Sequence, residues 1–221
     1  MSGPREEFLR RVREAVALGN LAGVSPPLPV RGSVGYQGAG PDPLARLRAE
    51  FAAAGGQLHL AADAADAADL VRRVVRDRNA RRVLLGDGDV LDALGLETAL
   101  AGPGVEVVPV RALAEGAGRE AFFAADVGVS GVEQVIPETG TLVLATRRDQ
   151  PRSLSLLVPV HVAVARREQV LPDLFDLFDR PGPLPACLTL ITGPSKTGDI
   201  ELRLVTGVHG PGEVHLVLLA G

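Results

Sequence analysis

The sequence contains almost no cysteine and few aromatic residues. Cys187 is the single cysteine in 221 residues, so no disulfide can form within the chain and a four-thiolate iron–sulfur cluster has no ligand set here. Aromatic residues make up 3% of the sequence and tryptophan is absent, which leaves little material for stacking on bases or sugars. Cys187 begins an apolar run, and we expect it to be a small core residue rather than a nucleophile.

Charge of one sign and long hydrophobic runs are lacking as well. The chain has 23 basic and 27 acidic residues, so no basic surplus indicates a nucleic-acid or anionic-membrane partner. No apolar stretch reaches the roughly 18 residues of a membrane span, and the charged amino terminus lacks the pattern of a signal peptide. We therefore expect a cytoplasmic protein with no nucleic-acid partner. Its 46% of hydrophobic residues can form one sizeable core.

Helical periodicity alternates with short apolar runs along most of the chain. The pattern predicts a helix that ends at Gly19, and a Gly- and Pro-rich linker completes a leader over residues 1–43. Asp42 and Asp63 are placed to cap the next helices. Strands are predicted near 58–60, 83–85, 105–110, 125–130, 131–136, 141–146, 160–165, 188–192 and 214–219. Residues 44–221 are thus predicted to form one α/β domain with a mixed, largely parallel sheet flanked by helices, into which the antiparallel pairs of the second half are inserted.

Three polar turns in the second half carry the residue types that chemistry needs. The first is Pro137–Thr141, between two apolar strands. Its Glu138 could act as a general base, a nucleophilic carboxylate or an anchor for a hydroxyl, while Thr139, Gly140 and Thr141 contact the ligand. The alternative is an ordinary β-turn whose threonines bond to local amides.

The second polar turn, Thr192–Asp199, follows the predicted strand 188–192. Ligands favour loops at the carboxyl ends of strands in α/β sheets. The turn can present amides, hydroxyls and one cation to a small anion, through Gly193, Ser195, Lys196, Thr197 and Asp199. It lacks the Gly-Lys pair of a Walker A loop, and a plain polar loop is the alternative.

The third turn places His209 between glycines, and its side chain could exchange protons near neutral pH, with Gly210 beside the ligand. The other three histidines lie within strand-like alternation, where satisfied or solvent-facing strand residues are expected. No two histidines have the spacing of a metal pair, so no metal site is expected. Arg152 could bind a carboxylate with two hydrogen bonds, or lie on the surface.

These segments, in this order, resemble one family. Ala125–Ser130, Pro137–Leu144, Thr192–Glu201 and Gly207–Pro211 are similar to the motifs of the LUD domain, in its lactate-utilization protein C (LutC, YkgG) branch. The resemblance covers residue 44 to the carboxyl terminus and implies a sheet of the NagB/RpiA/CoA-transferase kind. It also implies a part in the oxidation of L-lactate to pyruvate. Iron–sulfur clusters are then expected on partner lactate-oxidation subunits and no cofactor on this chain.

The first function is a cluster-free subunit for L-lactate utilization that carries a small-anion pocket. Two other functions are kept open beside it. One is a freestanding enzyme of the CoA-transferase or sugar-phosphate-isomerase kind, in which Glu138 is the base or acyl acceptor and His209 moves a proton. The other is a ligand-sensing module without chemistry. Whether this chain is itself an enzyme is not decided by the sequence.

Overall fold

The computed structural model describes residues 3–19, 38–113, 120–147, 150–179, 185–200 and 203–219. The chain divides into two compact units, Met1–Tyr36 and Gln37–Gly221. The first unit contains helix α1 (Pro4–Gly19), which ends where the sequence predicts. In the second unit the described part begins at Gly38, ahead of the predicted boundary at 44. The amide of Gly38 donates to Oε1 of Glu138 at 3.2 Å.

The second unit alternates helices with strands, as predicted. Its helices are α2 (Pro43–Ala53), α3 (Ala64–Asp77), α4 (Asp89–Ala93), α5 (Leu96–Leu100), α6 (Glu120–Phe123), α7 (Ser153–Leu156) and α8 (Leu174–Phe178). Its strands are β1 (Gln57–Ala61), β2 (Arg82–Leu85), β3 (Glu106–Pro109), β4 (Val127–Gly131), β5 (Gln134–Ile136), β6 (Thr141–Ala145), β7 (Val160–Arg166), β8 (Leu188–Ile191), β9 (Lys196–Ile200), β10 (Arg203–Thr206) and β11 (Glu213–Leu219). Among the described helices, none is long and apolar enough to cross a membrane.

Six strands form a wholly parallel central sheet in the order β1–β11–β7–β4–β2–β3. Alternate residues of β7 belong to different cores. Val160, Val162 and Val164 pack with α3, α4 and α5, whereas Ala163 and Ala165 pack with α2 and the β5–β6–β8 sheet. Since both faces are covered, the strands are apolar on both sides. The predicted α/β class with a largely parallel, helix-flanked sheet is confirmed.

Helix ends follow the predicted caps. The carboxylate of Asp42 accepts from the amide of Ala45, and that of Asp63 accepts from the amide of Asp66. Pro43 occupies the first turn of α2, where a missing N–H costs nothing. Helix α2 then buries Leu47 and Phe51, the inward side chains that its spacing predicts.

The antiparallel strands differ from the prediction, because they lie outside the central sheet. Strands β5, β6 and β8 form a separate three-stranded antiparallel sheet, and β9 pairs with β10 in a hairpin. The tight turn Pro137–Gly140 joins β5 to β6, and so short a connection permits only antiparallel pairing. Residues 192–199, predicted as a loop throughout, become strand β9 from Lys196 onwards.

Candidate functional site

The three predicted turns meet in space. Oγ1 of Thr141, in the first turn, lies 2.7 Å from Oγ1 of Thr192, in the second. The amide of Ser195 donates to the carbonyl of Pro211 at 2.9 Å, which joins the second turn to the third. Thr139 adds a hydroxyl contact to Thr141 at 2.7 Å. The sequence order of the motifs therefore corresponds to one cluster of turns.

Glycines of this turn cluster allow close packing against the end of α2. Gly140 has φ +63°, and a Cβ there would lie 2.6 Å from the amide nitrogen of Phe51. Gly193 has φ +76°, and a Cβ there would lie 2.6 Å from the carbonyl oxygen of Ala54. Both values lie in the left-handed region that favours glycine. These two glycines are explained by packing on α2.

Lys196 also contacts α2. Its Nζ donates to the carbonyl of Ala54, the residue that ends the helix. A lysine at this place satisfies a carbonyl that has no partner within the helix and interacts favourably with the helix dipole. The predicted role of Lys196 in anion binding is untested, and the side chain has a structural partner.

The other predicted site residues take varied positions around the turn cluster. Glu138 is half-buried, with its carboxylate accepting from Gly38. His209 is exposed, and Gly210 lies against the side chain of Ser195. Thr197 is half-buried on β9. The side chain of Asp199 lies outside the described residues. Their binding and catalytic roles stay predictions.

Arg152 lies apart from these contacts, at the start of α7. Its Nη1 lies 3.7 Å from Sγ of Cys187, the residue that precedes β8. Arg152 lines a small cavity with Ser130, Gln150 and Ser155. Cys187 is half-buried rather than a core residue.

Thr192–Asp199 was predicted to bind a ligand because ligands favour the loops at the carboxyl ends of strands in α/β sheets. This rule does not apply to that segment. That segment follows β8, which belongs to the antiparallel sheet, whereas the rule describes parallel sheets. In the central sheet the carboxyl ends of β2, β4 and β7 lie side by side. They lead into Gly86–Asp89, Val132–Glu133 and the turn Arg167–Gln169.

These three strand ends enclose a cavity of about 170 Å³, here called the strand-end cavity. It is lined by Asp87, Gly88, Asp89, Val90, Gly131, Val132, Glu133, Arg147, Gln150, Arg166 and Gln169. Backbone can come close to a ligand at Gly88, whose φ is +136°. Its position, at the carboxyl ends of parallel strands, is that of a ligand site in an α/β sheet.

Charged side chains of both signs face the strand-end cavity. Arg147 pairs with Glu133 at 2.7 Å, so this cation is neutralised. Arg166 donates from Nη2 to the carbonyl of Asp89 at 3.1 Å and forms no ion pair with a described carboxylate. A guanidinium of this kind can bind a carboxylate through two parallel hydrogen bonds.

Asp87 contributes a carboxylate to the lining of the same cavity. Oδ1 of Asp87 pairs with Arg111, whereas Oδ2 is buried and has no hydrogen-bond partner in the described part of the chain. A buried carboxylate oxygen without a donor is costly, so a ligand that donates a hydrogen bond would stabilise it. Gln150 adds an amide, anchored by a bond from Nε2 to the carbonyl of Gly131 at 3.1 Å. Cation, acceptor and amide together suit a small hydroxy acid.

Sequence reasoning missed the strand-end cavity although a signal was present. Gly86-Asp87-Gly88-Asp89 directly follows the predicted strand 83–85 and joins two glycines to two carboxylates. Arg166 is the last residue of β7 and shows no motif of its own. Its place at the cavity depends on the strand order, which the sequence does not display.

Each histidine within a strand has at least one hydrogen-bond partner, although Nδ1 of His161 is buried and has none among the described residues, so the expectation of satisfied side chains fails for that atom. Nε2 of His161 lies 2.9 Å from Oγ of Ser130, and Nε2 of His59 lies 3.1 Å from Nδ1 of His215. No cluster of three or more ligating side chains suited to a metal ion occurs among the residues that the structure describes.

Similarity to known proteins agrees with this fold. The chain is 38% identical over 94 residues to lactate utilization protein C of Anoxybacillus flavithermus, a match that covers 42% of this chain and 43% of that protein. It is 33% identical over 151 residues to lactate utilization protein C of Halalkalibacterium halodurans, covering 64% of each. The chain thus matches less than two thirds of the length of these relatives.

A solved structure supports the architecture. The crystal structure of a DUF162 family protein from Deinococcus radiodurans superposes with a TM-score of 0.55 at 21% identity, covering 80% of this chain and 96% of that one. A family model described as the LUD domain matches residues 44–219, nearly all of the second compact unit. The relatives named lactate utilization protein C support the predicted branch, and this chain belongs to the LUD domain family.

Proposed function

We propose that this chain serves L-lactate utilization in the cytoplasm as a component that binds a small carboxylate in the strand-end cavity. The observation that carries the proposal is the pairing of Arg166 with Asp87 in one cavity. Arg166 offers a guanidinium without an ion-pair partner, and Asp87 offers an acceptor without a donor. A 2-hydroxy acid has the complementary groups, a carboxylate and a hydroxyl on neighbouring carbons. The names of the sequence relatives point to the same substrate class.

Electron transfer in this proposal takes place on partner proteins. Oxidation of L-lactate to pyruvate releases two electrons, and this chain's single cysteine cannot hold an iron–sulfur cluster. We therefore propose iron–sulfur lactate-oxidation subunits as partners. Affinity purification of the chain from its native cell should recover iron–sulfur proteins, and their consistent absence would count against this part of the proposal.

Calorimetric titration of the purified chain with L-lactate tests the cavity. Arg166→Met should weaken binding by at least about tenfold, because it removes a charge-assisted, bidentate partner. Arg167→Met is the matched control, since Arg167 is the exposed neighbour and does not line the cavity. Equal affinities of the wild type and Arg166→Met would refute the assignment of this cavity, whereas equal loss in both variants would indicate a nonspecific charge effect.

The turn cluster supports a second candidate function, because its three motifs meet in space. In a freestanding enzyme acting on a CoA-linked or phosphorylated substrate, Glu138 would be the base or acyl acceptor and His209 the proton carrier. Glu138→Gln should then abolish turnover. Turnover that survives this change excludes the enzyme role of Glu138, while ligand stabilisation without any product favours a sensing module.

A further inference from the structure

A second cavity, of about 130 Å³, lies between α3 and the amino-terminal halves of β1 and β11. Because the central strands are parallel, this cavity lies at the amino-terminal ends of the strands, and the strand-end cavity lies at their carboxyl ends. Polar side chains from all three elements line it, namely Gln57, His59, Arg73, Asp77, Arg78 and His215. We call it the histidine cavity. The proposed function makes no use of it.

Two imidazoles share one hydrogen bond in the histidine cavity. Nε2 of His59 lies 3.1 Å from Nδ1 of His215, and the rings are stacked at 16° with centroids 5.4 Å apart. Burial, and then the charge of Arg73, lowers the pKa of His59. Burial, and then His59, lowers the pKa of His215, against an opposing effect of Glu213. The pair is therefore neutral at neutral pH and can accept a proton.

One cation in this cavity has no counter-charge. Glu213 pairs with Arg78 at 2.5 Å, and Asp77 pairs with Arg76 at 3.3 Å. Arg73 has no carboxylate within ion-pair distance among the described residues, and it is close enough to His59 to act on its pKa. On the next strand, burial holds the pKa of His161 at about 4, so this side chain adds no charge. An unpaired guanidinium beside two imidazoles is suited to an oxyanion.

We propose that the histidine cavity binds a small oxyanion, a phosphate group, between Arg73 and the His59–His215 pair, and that binding brings one proton onto the pair. The bound anion neutralises Arg73, which otherwise repels the proton. Nε2 of His215 faces Oε2 of Glu213 at 3.4 Å, so the anion accepts its hydrogen bond from Nδ1 of His59, the ring nitrogen of the pair that is engaged by neither His215 nor Glu213. Affinity for an oxyanion of fixed charge must then rise as the pH falls, because protons and anion stabilise each other in the site.

Calorimetric titration with inorganic phosphate, and with sulfate, an oxyanion that does not itself titrate between pH 5.5 and 8, measures affinity and proton uptake in buffers of different ionisation enthalpy. Arg73→Met should weaken phosphate binding by at least about tenfold. Arg72→Met is the matched control, since this arginine lies on the same helix, is exposed, pairs with Asp69 and does not line the cavity. Running the same titration in Arg166→Met separates this site from the strand-end cavity, and phosphate binding should persist there.

Nuclear magnetic resonance of the imidazole rings gives a second readout that does not depend on the variants. Addition of phosphate should raise the pKa values of His59 and His215, while the exposed His209 serves as an internal reference.

His59→Gln should abolish proton uptake, and circular dichroism checks that the variant is folded. A phosphomonoester such as glycerol phosphate, run in parallel, distinguishes a phosphorylated metabolite from the free ion by tighter binding.

Three results would overturn the proposal. Phosphate binding that is equal in the wild type and Arg73→Met places the anion elsewhere. Binding without net proton uptake at any pH removes the imidazole pair from the site. Binding of Zn²⁺, but not of phosphate, with loss on His59→Gln would make the pair a metal ligand instead.

Discussion

Oγ of Ser130 on β4 lies 2.9 Å from Nε2 of His161 on β7, and both side chains are fully buried in the sheet. Nδ1 of His161 is buried too and has no hydrogen-bond partner among the described residues. A charged imidazole would be poorly solvated in this place. Burial, and then the charge of His215, lowers the pKa of His161 to about 4.

Acid should therefore destabilise the protein between pH 6.5 and 4. The folded pKa of His161 lies below the ordinary value of about 6.5, so the unfolded chain binds the proton first as the pH falls. Stability from this side chain is fully present above pH 6.5 and decreases by about 3 kcal/mol towards pH 4. The lowered pKa values of His59 and His215 act in the same direction. Urea unfolding at several pH values measures this slope.

Two variants assign the slope to individual histidines. His161→Gln should flatten the dependence of the unfolding free energy on pH, since glutamine does not titrate. His209→Gln should leave the slope unchanged, because His209 is exposed. An unchanged slope in His161→Gln would mean that other groups, namely His59, His215 or carboxylates, cause the acid sensitivity.

Sequence patterns predicted local structure where each residue's own chemistry determines it. Asp42 and Asp63 cap helices because their short carboxylates reach amides three residues ahead. The strands are short apolar runs in a sheet buried on both faces, which the same pattern predicts. Single-turn helices such as α6 and α7 were missed, because four residues cannot display a helical period.

Sequence patterns did not predict which strands share a sheet. Strand β11 inserts between β1 and β7, and this order depends on long-range packing rather than on local chemistry. The strand-end cavity depends on that order, because Asp87, Gly131 and Arg166 come from three strand ends far apart in the sequence. The three turns, in contrast, were found as motifs in the sequence, but the sequence did not show that they meet in space, and two of their glycines, Gly140 and Gly193, have packing partners at the end of α2.

Gly140→Ala should destabilise the fold strongly. The left-handed conformation costs an alanine about 1 to 2 kcal/mol, and the added Cβ would lie 2.6 Å from the amide nitrogen of Phe51. We expect a loss of at least about 2 kcal/mol in urea unfolding. Gly198→Ala is the matched control in the neighbouring motif, because its Cβ meets nothing within 4 Å. Similar losses at both positions would contradict the packing explanation.

Lys196→Met tests whether the lysine of the second turn stabilises α2 or binds a ligand. Loss of the bond from Nζ to the carbonyl of Ala54 should cost about 1 kcal/mol, which is about 2 to 4 °C in melting temperature for a domain of this size. Scanning calorimetry measures the shift, and Lys196→Arg should recover part of it because the positive charge remains near the helix end. A melting temperature that does not change, together with weaker anion binding, would establish a ligand site instead.

Asp87→Asn should change which acid the strand-end cavity prefers. Arg111 already donates to Oδ1 of Asp87, so the asparagine oxygen should stay with Arg111 and its amide should replace Oδ2. That replaces an acceptor with a donor in the cavity. Affinity for L-lactate, whose hydroxyl donates, should decrease by about tenfold, whereas pyruvate, whose keto oxygen accepts, should bind at least as well as before. Calorimetric titration with both acids measures the ratio. Asp92→Asn, an exposed change on the neighbouring helix α4 that does not line the cavity, is the control. Equal loss for both acids would show that Asp87 does not recognise the hydroxyl.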